Sequence, residues 1–332
     1  MLPKTILLKL KNKLRIKKNV GTLESDYQND VLFSRNSNVK VFNFWAELTR
    51  PQDLWYYHFI NKYQPGTYTG EKPITFFFVY GDRRKLQMDV NRPRVFYTGE
   101  NVDVCKDYKD HCLKDVDLSL GFEYLEASNY LRFPLWITWF FKPDFDFEAV
   151  KNQTYKMSHF PYDFQKRRRF ATLIASHDRN GIRAEITGLI EQLGRVDCAG
   201  GFANNTRELH ELYNNSKHYF LTLYDFNVCP ENSNTNGYVT EKVFEAINSG
   251  CIPIYWGSNN NPEPEVLNHD AILFYDRQDP GRLIAQIEEL NSNYRLYQDF
   301  VLQERFMPGA AEYVWTRFEE LERKFREIGK NL

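Results

Sequence analysis

The sequence lacks any run of about 18 apolar residues, so it encodes no candidate transmembrane helix. Its N-terminal apolar stretches are too short for a signal peptide, and no small-residue cleavage site follows them. Neither sign of charge is in excess, because 43 Lys and Arg residues stand against 44 Asp and Glu residues. This balance argues against a dedicated nucleic-acid binder. Because the sequence shows neither a transmembrane segment nor a signal peptide, we expect a cytoplasmic protein, with membrane association left open.

Cysteine is scarce as well, with five residues and no paired C-x-x-C pattern, which excludes a dense disulfide scaffold and a ribbon-type zinc site. Cys105 and Cys112 are close enough to pair in an oxidising compartment, but free thiols in a reducing cytoplasm are the preferred interpretation. No Ser-His-Asp, H-E-x-x-H or G-x-x-x-x-G-K pattern appears, and the scattered aspartates between residues 103 and 117 are interpreted as solvated carboxylates. We therefore predict no metal-ligating residues.

The first 20 residues alternate basic and apolar side chains. Two interpretations stay open for this segment. It is a helix that lies on an anionic membrane surface, or it is a solvated or packed N-terminal segment.

Along the chain, apolar runs typical of strands alternate with segments whose apolar residues recur at helical spacing, which predicts an α/β protein. The polar stretch 142–169, with its basic end, reads as an interdomain connection. We therefore expect two doubly wound, Rossmann-like domains facing each other across a cleft, over residues 1–160 and 161–332. An amphipathic helix at about 309–330 ends the second domain.

The most informative stretch is 227–257, in which a strand leads through a polar loop into a helix and a second strand. Thr240 is suited to cap that helix, and Lys242 adds a full charge to the partial positive charge of the helix start. Such a site suits a diphosphate. Glu241 would repel phosphate there, and it makes sense as an acceptor of hydrogen bonds from sugar hydroxyls.

Two residues elsewhere follow strands in the same way. Arg183 begins the helix after the strand at 170–175, where open α/β sheets bind ligands, and a surface arginine is the equally weighted alternative. Glu100 follows a buried strand and Gly99, so it is a candidate general base, although a loop glutamate without a role is the simpler interpretation of that pattern alone.

Taken together, several ordered blocks resemble the alpha-1,3-fucosyltransferase family, most closely its bacterial branch. They are V-F-Y-T-G-E-N at 95–101, the strand and Ser176 before Arg183, the glycine turn at 200–201, and Y-V-T-E-K with I-P-I-Y-W-G inside 226–257. The resemblance runs from about residue 92 to residue 274. It implies a GT-B fold, in which the first domain binds the acceptor and the second binds the donor.

The resemblance implies transfer of L-fucose from GDP-beta-L-fucose, with inversion, to a hydroxyl of a Gal-GlcNAc-type glycan, at O3 of GlcNAc or Glc. By position it assigns Glu100 as the general base. It implies that the donor contacts Ser176, Arg183, Asn232, Tyr238, Thr240, Glu241 and Lys242. Trp45 and Glu47 are the implied acceptor-side residues. No cofactor is required for this chemistry, and stimulation by Mn²⁺ or Mg²⁺ stays open.

Three positions depart from the family pattern: Asp225 stands where bacterial relatives usually have Lys, Pro230 where they have Phe, and His177 where they have Asn. We expect all three to lie near the donor pocket. They motivate an alternative in which another GDP-sugar, such as GDP-mannose, is the donor. A non-catalytic glycan-binding relative is the third hypothesis, and the presence of Glu100 and Lys242 argues against it.

Overall fold

The computed structural model describes residues 23–44, 48–63, 73–165 and 168–330. Within them the chain forms two sheets of five parallel strands each. The first sheet contains β1 (Val39–Phe42), β2 (Ile74–Phe77), β3 (Arg94–Tyr97), β4 (Leu118–Gly121) and β5 (Tyr130–Arg132). The second contains β6 (Arg169–Leu173), β7 (Val196–Cys198), β8 (Tyr224–Val228), β9 (Ile252–Tyr255) and β10 (Leu273–Phe274). The predicted pair of parallel α/β units is confirmed.

Helices surround both sheets. In chain order they are α1 (Leu23–Phe33), α2 (Trp55–Tyr63), α3 (Lys85–Met88), α4 (Leu135–Phe140), α5 (Phe147–Ser158), α6 (Ile182–Ile190), α7 (Glu208–Glu211), α8 (Lys217–Leu221), α9 (Lys242–Asn248), α10 (Pro280–Ser292), α11 (Tyr294–Leu302) and α12 (Ala310–Lys330). Short 3-10 turns lie at Pro51–Asp53, Lys106–Tyr108, Ser258–Asn260 and His269–Ala271.

The first sheet keeps its strands in chain order, β1-β2-β3-β4-β5. Because side chains alternate along a strand, its two faces enter different apolar clusters. Val41 and Phe76 pack with α2 on one face, whereas Phe42 and Phe77 pack with Leu86 of α3 on the other. Both faces are thus covered, as a parallel sheet requires.

The second sheet has the order β10-β9-β8-β6-β7, so the chain reverses direction around β6. The strands β6 and β8 are neighbours, and the loops that leave their carboxyl ends run in opposite directions, toward β7 and toward β9. Such a reversal creates the crevice in which open α/β sheets bind ligands. The loop after β8 holds the sequence block that resembled a donor site.

The C-terminal helix α12 is present, but it packs against the first sheet unit. Phe318 on this helix lies within 6.2 Å, centroid to centroid, of Trp55, Phe59 and Phe133, and Phe325 contacts Phe59 and Phe76. The chain thus returns to the unit in which its first strand lies. The division at residue 160 stays a prediction, since α5 before that boundary also packs on α9 and α12.

Three local expectations are wrong. The sequence pattern predicts one helix over 206–217 and a strand over 219–228, but the first range forms only the short α7 before α8, and the strand begins at Tyr224. The aromatic run at 219–224 fits either state by apolar pattern alone, and α8 takes its first part. The segment 142–169 is not a plain linker either, since it contains α5, which Asp146 caps by accepting from the Ala149 amide.

The basic run 166–169 before β6 predicts a solvated charge cluster, with contact to phosphate as the alternative, and the structure differs from that prediction at Arg168. Residues 166–167 lie outside the described residues, but Arg168 is largely buried and donates to the carbonyl oxygens of Gly250, Ser249 and Thr222. This guanidinium ties β6 to the turn before β9. Its role is therefore structural.

Two further expectations concern membrane contact and cysteines. Among the described residues no helix is long and apolar enough to cross a membrane. The basic segment 1–20 lies outside the described residues, so its two interpretations stay open. All five cysteines are free thiols, and Cys105 and Cys112 are not bridged.

Candidate active site between the two sheets

Glu100 lies directly after β3, in the loop that Gly99 opens. The Thr98 hydroxyl accepts from the Glu100 amide at 3.1 Å and donates to its carbonyl oxygen at 2.6 Å, which fixes the local backbone. The Tyr80 hydroxyl donates to Glu100 Oε1 at 2.8 Å. The Tyr238 hydroxyl, from the loop after β8, lies 3.5 Å from Oε2. Glu100 therefore faces the second unit directly.

The loop that follows β8 is attached to the first unit by side chains. Asn101, the neighbour of Glu100, donates to the hydroxyls of Ser233 and Thr235. Arg132 on β5 donates to the Gly237 carbonyl oxygen at 3.2 Å. These bonds hold the donor-side loop against the strand ends of the opposite sheet.

Arg132 also forms a buried ion pair between the units. Its two terminal nitrogens donate to the Glu263 oxygens at 2.6 and 3.0 Å, and the exposed fractions of the two side chains are 6% and 1%. The Tyr313 hydroxyl of α12 accepts from Arg132 at 2.9 Å. This bidentate geometry fixes one relative placement of the two sheets.

Lys242 is paired inside the second unit. Its ammonium donates to Glu231 Oε2 at 2.9 Å and to the Thr240 hydroxyl at 2.7 Å. Glu231 is fully buried, and burial raises its pKa against the opposing effect of Lys242. For Lys242 burial would lower the pKa, but the neighbouring carboxylates outweigh burial and raise it, so the ammonium stays charged.

Thr240 does not cap α9, so that prediction is wrong. The helix begins at Lys242, and no side chain caps it. The Thr240 hydroxyl and amide both bond to Glu231, at 2.8 and 2.7 Å. A buried carboxylate is stable only when several donors bond to it. Thr240 is one of the donors to Glu231, so its hydroxyl does not bond to the helix end.

Glu241 has a cationic partner that the sequence did not suggest. Lys217 on α8 lies 3.8 Å from Glu241 and 2.9 Å from Glu245. Burial would raise the pKa of Glu241, but Lys242 and then Lys217 outweigh it, so that the pKa is lowered. The carboxylate is therefore ionised and able to accept hydrogen bonds from hydroxyl groups.

Arg183 and Asn232 meet beside this cluster. Arg183 Nη2 donates to Asn232 Oδ1 at 2.7 Å, and Nη1 donates to the His177 carbonyl oxygen. Arg183 and Lys242 line one small cavity of about 20 Å³ together with Pro230. Of the three family departures, His177 thus bonds to Arg183, and Pro230 lines the same cavity as Arg183 and Lys242.

For the third departure, Asp225, the expected position is wrong. Asp225, which we expected near the donor pocket, lies near the amino end of β8, whereas the donor-side loop leaves its carboxyl end. Its Oδ1 accepts from the Tyr297 hydroxyl at 2.6 Å and lies 4.0 Å from Arg168. Asp225 therefore belongs to the structural contacts of α11 and β6.

The remaining predicted site residues fall into two groups. Ser176 is exposed in the loop after β6, and a β-carbon on Gly201 would come within 2.9 Å of its carbonyl oxygen, so the glycine turn packs closely there. Trp45 and Glu47 lie outside the described residues. Within the described part of the chain, no group of three or more His, Cys, Asp or Glu could hold a metal ion.

Sequence reasoning missed several residues that build this site. Glu231 stands inside the informative block, nine residues before Thr-Glu-Lys, and its place in that block was the available signal for it. Asn101 and Arg132 lie inside blocks that resemble the family, at 95–101 and 130–132, but the blocks assign them no role. Tyr80 and Lys217 gave no such signal, because their partners come from distant parts of the chain.

Two protein-family models match this chain. Residues 164–317 match the family model described as glycosyltransferase family 10 (fucosyltransferase) C-term. Residues 39–139 match the alpha-(1,3)-fucosyltransferase FucT N-terminal domain. The chain belongs to this fucosyltransferase family.

Among relatives in the fucosyltransferase family, alpha-(1,3)-fucosyltransferase FucT of Helicobacter pylori is 30% identical over 256 residues, which cover 67% of this chain and 49% of that protein. Alpha-(1,3)-fucosyltransferase B of Drosophila melanogaster is 35% identical over 92 residues, 28% of this chain and 21% of that protein. The chain thus spans about half the length of the first relative and less of the second.

Solved structures show the same fold. A crystal structure of alpha1,3-fucosyltransferase matches with a TM-score of 0.59 and 21% identity, covering 86% of this chain and 89% of that one. A second, with GDP, matches with a TM-score of 0.56 over the same shares. The predicted GT-B fold is confirmed.

Proposed function

We propose that this chain is an inverting glycosyltransferase that moves L-fucose from GDP-beta-L-fucose to a hydroxyl of a Gal-GlcNAc-type glycan, at O3 of GlcNAc or Glc. One observation carries the proposal. The Glu100 carboxylate of the first unit lies 3.5 Å from Tyr238 in the donor-side loop of the second unit. A proton acceptor and a cationic nucleotide site thus face each other, and membership of the fucosyltransferase family supports fucose as the transferred sugar.

Glu100 is the proposed general base. The Tyr80 hydroxyl occupies Oε1, so Oε2 is the oxygen turned toward the donor side. It takes the proton of the acceptor hydroxyl while that oxygen bonds to the anomeric carbon of fucose and the bond to GDP breaks. Attack from the side opposite GDP inverts the anomeric configuration.

Arg183 and Lys242 are proposed to stabilise the diphosphate that leaves. An ammonium group has three donors, and Glu231 and Thr240 take two of those on Lys242. The third is proposed to bond a phosphate oxygen. Because Glu231 holds the ammonium in place, Lys242 is oriented before the donor arrives, and preorganised charge is what lowers a barrier of this kind.

The other donor-side residues are proposed to surround the sugar parts of the nucleotide. Ionised Glu241 accepts from ribose or fucose hydroxyls, and Asn232 and Tyr238 line the same pocket. Ser176 and Thr240 are proposed to complete the donor site, and Trp45 and Glu47 to contact the acceptor. Whether Mn²⁺ or Mg²⁺ stimulates turnover is tested by adding each ion, and EDTA, to the same assay.

A different GDP-sugar donor, such as GDP-mannose, is the second candidate, and one observation favours keeping it. Pro230 lines the small cavity between Arg183 and Lys242, where bacterial relatives usually carry Phe. A smaller ring at that position changes the shape next to the diphosphate.

The test has two stages. First, melting temperatures are measured with a panel of GDP- and UDP-sugars, since a ligand that binds only the folded state raises them. Stabilisation by UDP but not by GDP contradicts both candidates. Second, the purified chain is incubated with GDP-fucose and N-acetyllactosamine, and the product is identified by mass spectrometry and NMR. Glycan binding without nucleotide binding would instead support a non-catalytic relative.

A further inference from the structure

A largely apolar cavity of about 140 Å³ opens in the first unit beside Glu100. Its wall is built mainly from Leu48, Leu54, Phe78, Val79 and Leu135. Asp53 is the only carboxylate in the described part of this wall, and Arg50 engages it at 2.9 Å. A volume of this size holds roughly four water molecules, so a substituent of a few heavy atoms fits into it.

Three tyrosines line this cavity, and the hydroxyl groups of two of them, Tyr56 and Tyr97, set it apart from an ordinary gap in the core. Tyr56 and Tyr97 are 2% and 7% exposed, and among the described residues neither hydroxyl has a hydrogen-bond partner. Burial raises the pKa of Tyr97, and the Thr138 hydroxyl, which approaches the Tyr97 hydroxyl without meeting the distance and angle of a hydrogen bond, offsets part of the rise. The Thr138 hydroxyl itself donates to the Leu135 carbonyl oxygen.

The two tyrosine rings lie against each other. The rings of Tyr56 and Tyr97 meet edge to face at 5.2 Å, and Tyr97 adds to the rise in the pKa of Tyr56 that burial causes. Buried polar groups in proteins are nearly always hydrogen-bonded. A pair without partners in an apolar cavity is therefore suited to a ligand that brings both a donor and an acceptor.

The cavity also adjoins the proposed base. Gly99 and Tyr80 line it, and these are the residue before Glu100 and the residue whose hydroxyl bonds to Glu100. A β-carbon placed on Gly99 would lie 3.3 Å from the Tyr97 hydroxyl. A sugar held at Glu100 would thus have this cavity next to its ring.

We propose that this cavity binds the acetamido group of an N-acetylhexosamine acceptor, and that Tyr56 and Tyr97 determine the preference for that acceptor. The inference rests on the proposed function. A phenol donates to the amide carbonyl oxygen, the other phenol oxygen accepts from the amide N–H, and the methyl group packs on the leucine and valine wall. A sugar with only a hydroxyl at C2 leaves the apolar wall without a packing partner and one phenol without a hydrogen bond.

The geometry of the sugar agrees with this assignment. In N-acetylglucosamine the acetamido group at C2 is adjacent to the hydroxyl at C3. Placing the acetamido group in the cavity therefore brings O3 toward the neighbouring Glu100. The cavity would select both the acceptor sugar and the hydroxyl that reacts.

The experiment compares N-acetyllactosamine with lactose, which differ in this one substituent, with GDP-fucose as donor. For the wild type we expect kcat/KM to be at least about tenfold higher with N-acetyllactosamine. In Tyr56→Phe and Tyr97→Phe we expect the value for N-acetyllactosamine to fall about three- to tenfold, and the value for lactose to stay unchanged. Tyr224→Phe is the matched control, because it removes a buried hydroxyl bonded to Asp197 far from the cavity.

A second readout needs no activity. If the two hydroxyls lack partners in the free protein, Tyr56→Phe and Tyr97→Phe keep or raise the melting temperature, whereas Tyr224→Phe lowers it. Leu48→Phe, which fills the cavity from its wall, provides a further variant and should reduce transfer to N-acetyllactosamine alone.

The outcomes separate the two proposals. Equal rates with both acceptors, or equal losses with both in the phenylalanine variants, overturn the inference and leave the proposed function standing. A clear fall in melting temperature in both variants shows that the hydroxyls are bonded and also overturns it. Absence of any GDP release from GDP-fucose, with either acceptor or with water, contradicts the proposed function itself.

Discussion

The Glu231 carboxylate and the Lys242 ammonium lie 2.9 Å apart, with the carboxylate wholly shielded from solvent. A charged pair of this kind costs free energy to bury, and losing one partner costs more than the pair itself contributes. Lys242 thus has a structural role in addition to the donor role proposed for it. A single substitution cannot separate these roles.

A double substitution can separate them. We expect Lys242→Met to lower the free energy of unfolding by about 3–5 kcal/mol, because it leaves Glu231 buried without a counter-charge. The pair Glu231→Leu with Lys242→Met should recover much of that loss and still not bind GDP. Urea unfolding and calorimetry measure the two effects, and Lys151→Met, in an exposed pair with Glu148, is the control. Recovery of GDP binding in the double variant would remove Lys242 from the donor site.

Glu100→Gln tests the proposed base. The amide keeps the shape and the bond with Tyr80 but accepts no proton, so we expect kcat for transfer to fall about 10²–10⁴-fold. The dissociation constant for GDP should change less than about threefold. Initial rates and calorimetry measure these quantities, and Glu126→Gln, at an exposed position of the same unit, is the control. Transfer at the wild-type rate would assign the proton to another group.

The ion pair between Arg132 and Glu263 predicts a combined effect on stability and donor binding. We expect Arg132→Met to lower the free energy of unfolding by about 3–5 kcal/mol. Because Arg132 also holds the Gly237 carbonyl, KM for GDP-fucose should rise. Arg323→Met, which breaks an exposed pair with Glu327, should cost less than about 1 kcal/mol. An unchanged KM in the destabilised variant would show that the bond from Arg132 is not needed to position the loop for the donor.

His177 gives a pH dependence. Burial, and then the charges of Arg179 and Arg183, lower its pKa below the ordinary value of about 6.5. The unfolded chain therefore binds a proton first as pH falls, and stability is lost below about pH 6.5 until the folded-state pKa is reached. We expect His177→Asn to reduce the fall in melting temperature between about pH 7.5 and pH 5.5. His218, whose pKa burial also lowers, stays in both proteins and cancels in the comparison.

The sequence predicted features that depend on local pattern. Apolar runs located β3, β6 and β9 to within a few residues, because buried parallel strands are nearly continuous in apolar side chains. The polar helix α1 was missed, since it has almost no apolar face and none of its residues is buried. The short strand β5 was recognised only as a family block.

The site was predictable as a set of residues but not as a network. Glu100, Arg183 and Lys242 follow strands, and position alone suggested them. Arg132 and Glu263 are 131 positions apart, and no local pattern marks either as the partner of the other. Thr240 shows the same limit. It is a good capping residue, but it bonds to Glu231, and the burial of that carboxylate depends on the whole fold.

The return of α12 to the first sheet makes the two halves mutually dependent. A fragment that contained only the second sheet and this helix would expose Val314, Phe318, Leu321 and Phe325, whereas the complementary fragment would leave Phe59 and Phe76 uncovered. Severing the polypeptide between the sheets should thus yield pieces that precipitate when produced apart and reassemble when produced together. Because both ends of the chain build the first unit, replacing the second unit by that of a relative would require two crossover points rather than one.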